Sequence, residues 1–193
     1  FVLVLLSCQS GDSAAEKEDY SKLEGLVIQI ETQMQALRIE MEQITDYNKY
    51  LLQKRDSILA SSSDFKYEME GAFSTNLPGQ DSSLSTVVIL NSSSDPKRAK
   101  QLIQLTNSMD SVFATFMQKN PKAIQIYSNS PLGASRIYPA FDAKNIVDPN
   151  LDVTQFNFFY EADLAHNPTK ETVWIPEPYV DRAGKGWIFS SVH

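Results

Sequence analysis

Ala123-Ile124-Gln125-Ile126-Tyr127-Ser128 alternates apolar and polar side chains, Asn129-Ser130-Pro131-Leu132-Gly133 supplies turn residues, and Ala134-Ser135-Arg136-Ile137-Tyr138-Pro139 alternates back. Period-two alternation on both sides of a short turn containing Pro and Gly specifies a β-hairpin. Its neighbours on the N-terminal side are of two kinds. Leu84-Ser85-Thr86-Val87-Val88-Ile89-Leu90 reads as a strand or a buried apolar turn. Lys97 to Lys119 carries Ile103, Leu105, Met109, Val112, Phe113 and Phe116 on a helical face and ends at Asn120-Pro121. On the C-terminal side, Gln155 to Ala165 predicts a short helix stopped by His166-Asn167-Pro168. Thr172-Val173-Trp174-Ile175 and Gly186 to Val192 each predict a strand. Helices interleaved with a hairpin and further strands define an α+β fold with an antiparallel sheet. No internal repeat is present.

Ahead of this module the period changes to that of a long helix. From Ser13 to Ala60 the chain has no proline, and Leu23, Val27, Ile30, Met34, Leu37, Met41 and Ile44 step by 4 and 3. These are heptad positions, with Asn48 and Arg55 continuing the a row and Leu51 and Ile58 the d row. At 1.5 Å per residue, Leu23 to Ile58 make a rod of about 54 Å. A rod of that length calls for a partner, and a polar a-position such as Asn48 favours a parallel homodimer. Leu26 and Leu52 widen the stripe, which suits docking of part of the helix on its own module.

Composition narrows the function. A net charge of −7 argues against nucleic acid as a partner, because phosphate binding needs a basic surface. One cysteine, Cys8, makes no internal disulfide, and with two histidines it supplies no structural zinc site. The chain lacks a Gly-x-Ser-x-Gly elbow, a Gly-rich phosphate loop and a His-Glu-x-x-His helix, so no enzyme chemistry, cofactor or metal is expected. His166 reads as a helix-end residue. Asp142, Asp148 and Asp152 lack the alternating spacing and central Gly of a calcium loop and read as turn carboxylates.

The N-terminal stretch Phe1-Val2-Leu3-Val4-Leu5-Leu6 is far shorter than the roughly 20 residues of a membrane span. Leu5-Leu6-Ser7-Cys8, followed by the polar Gln9-Ser10-Gly11-Asp12, resembles the bacterial lipobox. That resemblance implies diacylation of Cys8 and attachment to a membrane. A second resemblance lies in the last third of the chain. Ser135 to Asp142, Phe156 to Ala162 and above all Val173-Trp174-Ile175-Pro176-Glu177-Pro178-Tyr179-Val180-Asp181-Arg182-Ala183-Gly184-Lys185-Gly186-Trp187 resemble the extracellular Cache sensor family. The family's double form stacks two PAS-like modules on one long N-terminal helix. The resemblance implies a membrane-distal sensor module that continues beyond His193. It divides the chain into a signal remnant (1–8), a polar tether (9–20), the long helix (21–60) and the sensor module (64–193).

Eleven of the 20 aromatic side chains fall between Tyr127 and His193. Tyrosine and tryptophan combine a large apolar surface with a polar handle able to orient a small ligand. Tyr138, Tyr160, Tyr179 and Asp181 are the ligand candidates. Trp174 completes the set, although its indole, like Phe158 and Trp187, also suits core packing. The family's amino-acid binders place an Arg ahead of a Trp-Tyr pair; the matching stretch here is Asn157-Phe158-Phe159-Tyr160, in which only the Tyr is kept. Asn makes no bidentate contact to a carboxylate, which argues against a free amino acid. The expected function is extracytoplasmic sensing of a small molecule by a lipid-anchored protein of the bacterial envelope, with the signal passed along the long helix. The alternatives are a ligand-binding lipoprotein without an output of its own, and a coiled-coil spacer capped by a globular domain.

Overall fold

A computed structural model describes residues 14–61, 65–180 and 186–193. Cys8, the Ser62–Asp64 break and Asp181 lie outside the described residues. The chain divides into two compact units, Phe1–Ile39 and Glu40–His193. The division falls inside the long helix α1 (Ala14–Gln53), not at the break after Ala60 where composition changes.

In the first unit Val27 and Ile30 are 44 % and 56 % exposed, and Leu23 and Leu26 are exposed as well. In the second unit the same heptad stripe is covered. Met41, Ile44 and Tyr47 are half-buried and Leu51 is 4 % exposed. Side chains fix this part of the helix: the Tyr47 hydroxyl donates to Ser108 Oγ at 2.9 Å, and Asn120 Nδ2 donates to Glu40 Oε2 at 2.9 Å. A short helix α2 (Arg55–Ser61) follows after Lys54. Helical hydrogen bonds continue across the junction, from Lys54 N to Tyr50 O and from Ile58 N to Lys54 O.

The module is built on a five-stranded, wholly antiparallel sheet. β1 (Met69–Glu70) and β2 (Phe73–Ser74) form a hairpin that the hydrophobic pattern does not foretell; Gly71, at φ +59, makes its turn. Next come β3 (Thr86–Ile89), α3 (Pro96–Leu105), α4 (Met109–Lys119), β4 (Ile126–Asn129) and β5 (Ala134–Tyr138). The strand order is β1-β2-β3-β5-β4, so β3 pairs on one side with nearby β2 and on the other with distant β5. The predicted hairpin is present as β4 and β5, with Tyr127 opposite Ile137 and Asn129 opposite Ser135.

Successive side chains of a strand point to opposite faces, and β3 shows why both faces of this sheet are covered. Val87, fully buried, packs with Tyr67, Ala99, Ile103 and Ala134 on the α3 side. Val88, 2 % exposed, packs with Phe73, Leu90, Ala143 and Val153 on the other. Helix α3 lies against β3 and β5, and α4 lies against β4 and β5. The second face is closed by α5 (Ala143–Ile146), a 3-10 turn (Val153–Gln155) and α6 (Asn157–Tyr160).

Three elements differ from expectation. Lys97 to Lys119 is two helices, because the Thr106 hydroxyl bonds back to Leu102 O at 2.9 Å and the Thr106-Asn107-Ser108 run closes the first helix in turns. Asp95 caps α3 by accepting from Arg98 N at 3.0 Å, and Pro96 occupies its first turn. The predicted helix over Gln155 to Ala165 is only the single turn α6. The extended backbone of Phe156 precedes it, and Asp163 then turns the chain by accepting from the amides of Ala165 and His166. The predicted strand over Gly186 to Val192 is two: β8 (Trp187–Ile188) pairs with β7 (Tyr179–Val180), and β9 (Ser191–Val192) pairs with β6 (Val173–Trp174).

Candidate functional site

Tyr127 on β4 stands opposite Ile137, on the sheet face that carries Val88 and α6. Its ring meets Phe158 of α6 edge-on at 5.8 Å, and Phe158 stacks on Phe156 at 5.2 Å. Edge-to-face and offset-stacked pairs are the favoured aromatic geometries. Around the hydroxyl end of Tyr127 sit Tyr179 of β7 and Ser190. Tyr179 Oη and Ser190 Oγ are hydrogen-bonded at 2.9 Å. Burial pushes the Tyr127 hydroxyl well above its ordinary range, with the neighbouring Tyr179 adding to the rise. Ser190 is a hub, since its carbonyl also accepts from Ile175 N at 2.9 Å and thereby carries the β6–β9 pair alongside. The Trp174 that precedes Ile175 is half-buried and lies opposite Ser191.

Of the sequence candidates, Tyr179 bonds Ser190, whereas Trp174, opposite Ser191, takes the other face of the β6–β9 pair from Ile175, whose amide bonds Ser190 O. Tyr160 ends α6, half-buried, with its ring 5.2 Å from that of His166. Tyr138 is on the opposite face of the sheet. It shares parity with Arg136, stands opposite Ile126, and its hydroxyl donates to Ser82 O at 2.9 Å. Strand alternation therefore separates it from Tyr127 and the aromatic shell. Trp187 is a correction to the packing expectation. It is 72 % exposed, paired with exposed Val180, while Ile188 and Tyr179 take the inner face of the β7–β8 pair. Tyr127 and Ser190 escaped the sequence reading. Tyr127 was visible as an alternating position of the hairpin; Ser190 carries no signal of its own.

A second cluster, on the α3 face, also escaped it. Arg136 is fully buried. Its Nη1 donates to the Tyr67 hydroxyl at 2.6 Å and pairs with the Asp110 carboxylate; its Nη2 donates to Ile103 O at 2.8 Å. Tyr67 in turn donates to Asp110 Oδ2 at 2.6 Å, and Lys66 also pairs with Asp110. Burial alone would push the Asp110 carboxyl up, but Arg136, Lys66 and Tyr67 outweigh it and hold the group below the usual carboxylate range. Burial is also the main reason that the Tyr67 hydroxyl is raised. Arg136, Asp110 and Tyr67 are buried and bonded to one another, so the cluster ties α4 to β5. The sequence signal was Arg136 itself, a cation at the same strand parity as buried Ala134.

The carboxylates considered for calcium serve their own turns. Asp142 accepts from Asn145, Asp148 from Asn150 N at 2.9 Å, and Asp152 from Thr154 N at 3.0 Å. His166 bonds Asp163 through Nδ1 at 2.9 Å, and that bond raises its pKa. Among the described residues no helix is long and apolar enough to cross a membrane, and no group of three His, Cys, Asp or Glu side chains is placed to hold a metal.

The second unit also contains a groove of about 460 Å³. One wall is the helical stripe Asn48, Leu52 and Arg55; the other is the α3 stripe Arg98, Gln101, Leu102 and Leu105. The turn from Asn129 to Leu132 closes one end. Asn48 and Arg55, which the heptad pattern assigns to a dimer seam, thus line a groove within their own unit. Arg55 Nη2 donates across it to Gln101 Oε1 at 3.2 Å. No family model matches the chain, and no curated protein or solved structure matches it.

Proposed function

We propose that this chain is the extracytoplasmic sensing part of a lipid-anchored bacterial envelope protein, which binds a small molecule and passes the change along α1. The observation that carries the reading is the double use of the α1 heptad stripe. Residues 40–53 are held to the module by Tyr47–Ser108 and Glu40–Asn120, whereas Val27 and Ile30 carry an exposed apolar seam. A helix with one portion fixed by the ligand-binding module and another open to pairing suits signal transfer. It works only if the ligand favours one helix arrangement over another. The aromatic shell of Tyr127, Phe158 and Tyr179, with Ser190 as its polar hub, suits a ligand that has a flat or apolar body and one hydrogen-bonding group. The exposed seam supports a parallel homodimer. The lipobox-like Leu5-Leu6-Ser7-Cys8 supports lipid attachment at Cys8, and it equally favours a second reading, a ligand-binding lipoprotein without an output.

The test is a thermal-shift screen of the Cys8→Ser chain against organic acids, amines, nucleobases and sugars. A true ligand at 100 times its Kd adds about 2.7 kcal/mol of stability. Tyr127→Phe and Tyr179→Phe should remove that gain. No stabilisation by any class, or a gain that both variants keep, overturns sensing at this shell. For the anchor, wild type should fractionate with membranes and Cys8→Ser should not; equal membrane association of the two sinks lipidation.

A further inference from the structure

We infer that the groove between the Asn48–Arg55 stripe and α3 is a second ligand site, selective for a small organic anion with an apolar body. Its floor is apolar, from Leu52, Leu102, Leu105 and Pro131. Its size falls within the range of small-molecule pockets, about 300–1,000 Å³. Gln101 Oε1 is engaged by Arg55, Asn129 Oδ1 accepts from Ser135 Oγ at 2.7 Å, and Ser130 Oγ accepts from Leu132 N at 3.1 Å. Those three acceptors are used within the protein, while the Asn48 amide, the donor ends of Gln101 and Asn129 and the guanidinium of Arg98 have no side-chain hydrogen bond among the described residues. Among the described residues no acidic side chain lines the groove. Arg55 and Arg98 have no carboxylate partner among the described residues, in a chain of net charge −7. Arg98 also lies in the first turn of α3, where the helix dipole favours negative charge. Guanidinium forks bind carboxylate or phosphate oxygens through paired, charge-assisted hydrogen bonds. Apolar side chains beside two guanidinium groups select an amphiphilic anion over a bare ion or a neutral molecule. The site shares no residue with the Tyr179–Ser190 shell, so the two readings stand or fall separately.

The probes are octanoate, 1-octanol as its uncharged counterpart and inorganic phosphate as an anion without a body, each titrated by calorimetry into the Cys8→Ser chain. Octanoate should bind with one site per chain and at least about tenfold more tightly than 1-octanol or phosphate. Arg98→Gln, a change on an exposed position, should weaken octanoate about tenfold or more and leave 1-octanol unchanged. Arg55→Gln should act in the same direction, and circular dichroism with an unchanged Tm shows that the variants remain folded. Equal affinity for octanol and octanoate, no binding of octanoate, or octanoate affinity that Arg98→Gln leaves intact in the folded variant overturns the inference.

Discussion

Replacing Arg136 by Met tests the account of the buried charge cluster most directly. The substitution keeps the long unbranched shape but removes the guanidinium that bonds Asp110, Tyr67 and Ile103 O. Asp110 is 2 % exposed, so its carboxylate stays behind in a dry site. Stripping one partner from a buried ion pair costs about 3–5 kcal/mol. Lys66, whose side chain is 35 % exposed, still reaches Asp110, which places the expectation near the lower end, about 3 kcal/mol. A domain of ordinary stability, about 5–15 kcal/mol, survives that loss. Urea unfolding followed by circular dichroism at pH 7 reads it as a fall in midpoint at constant slope. Arg136→Met with Asp110→Leu removes both charges and should cost less than the two single changes added together, by about 2 kcal/mol or more. The sign of the pH dependence follows from the depressed Asp110 pKa. Its contribution is present above the unfolded carboxyl value of about 3.9 and is lost as pH falls through the lower folded value. The gap between wild type and Arg136→Met should therefore close on acidification. A single-variant cost below about 1 kcal/mol, strict additivity in the cycle, or a gap unchanged between pH 7 and pH 2 refutes the reasoning.

Gly133 sits at φ +72, and an added Cβ would lie 3.3 Å from Ser93 Cα, so Gly133→Ala should lower stability by about 1 kcal/mol or more in the same urea assay. The two histidines should titrate by NMR on opposite sides of their ordinary value: His166 above it through its bond to Asp163, His193 below it through burial and then Lys49. Asp163→Asn should bring His166 back down. The His166–Asp163 tie should support the turn below that ordinary value and fade as pH rises through the raised one. Val27→Glu with Ile30→Glu should shift the chain to monomer in sedimentation without moving its urea midpoint at high dilution. A wild type that is already monomeric at high concentration removes the dimer.

How far the sequence could be read depended on the range of the interactions involved. The β4–β5 hairpin was plain because alternation and turn chemistry are local, and α1 because a heptad repeats over many turns. The break in α3–α4 was hidden because Thr106 is a tolerable helix residue, and its back-bonding hydroxyl ends the helix only in concert with Asn107 and Ser108. β1 and β2, at two residues each, are too short for a pattern. At the site, Tyr179 and Trp174 were legible as aromatic residues with polar groups. The meeting of Tyr179 with Ser190 and Tyr127 was not, since it depends on β4, β7 and the residue ahead of β9 meeting in space. Tyr138 stands apart from that shell for a reason present in the sequence all along: its parity in β5 matches Arg136, not Ile137.

The position of β3 also sets the order of assembly. Its partner β5 arrives late in the chain, and β5 carries Arg136, the counter-charge that lets Asp110 leave water. Until that strand docks, Val87 and Val88 border an open edge and α4 holds a carboxylate that resists enclosure. Closing the sheet and neutralising the acid are thus one event, dependent on a long-range loop closure that is slow compared with helix formation. A chain ending before Ala134 should therefore remain loosely packed and take up an apolar dye that the longer chain excludes, and a truncated chain that excludes the dye would show that the two events are separable.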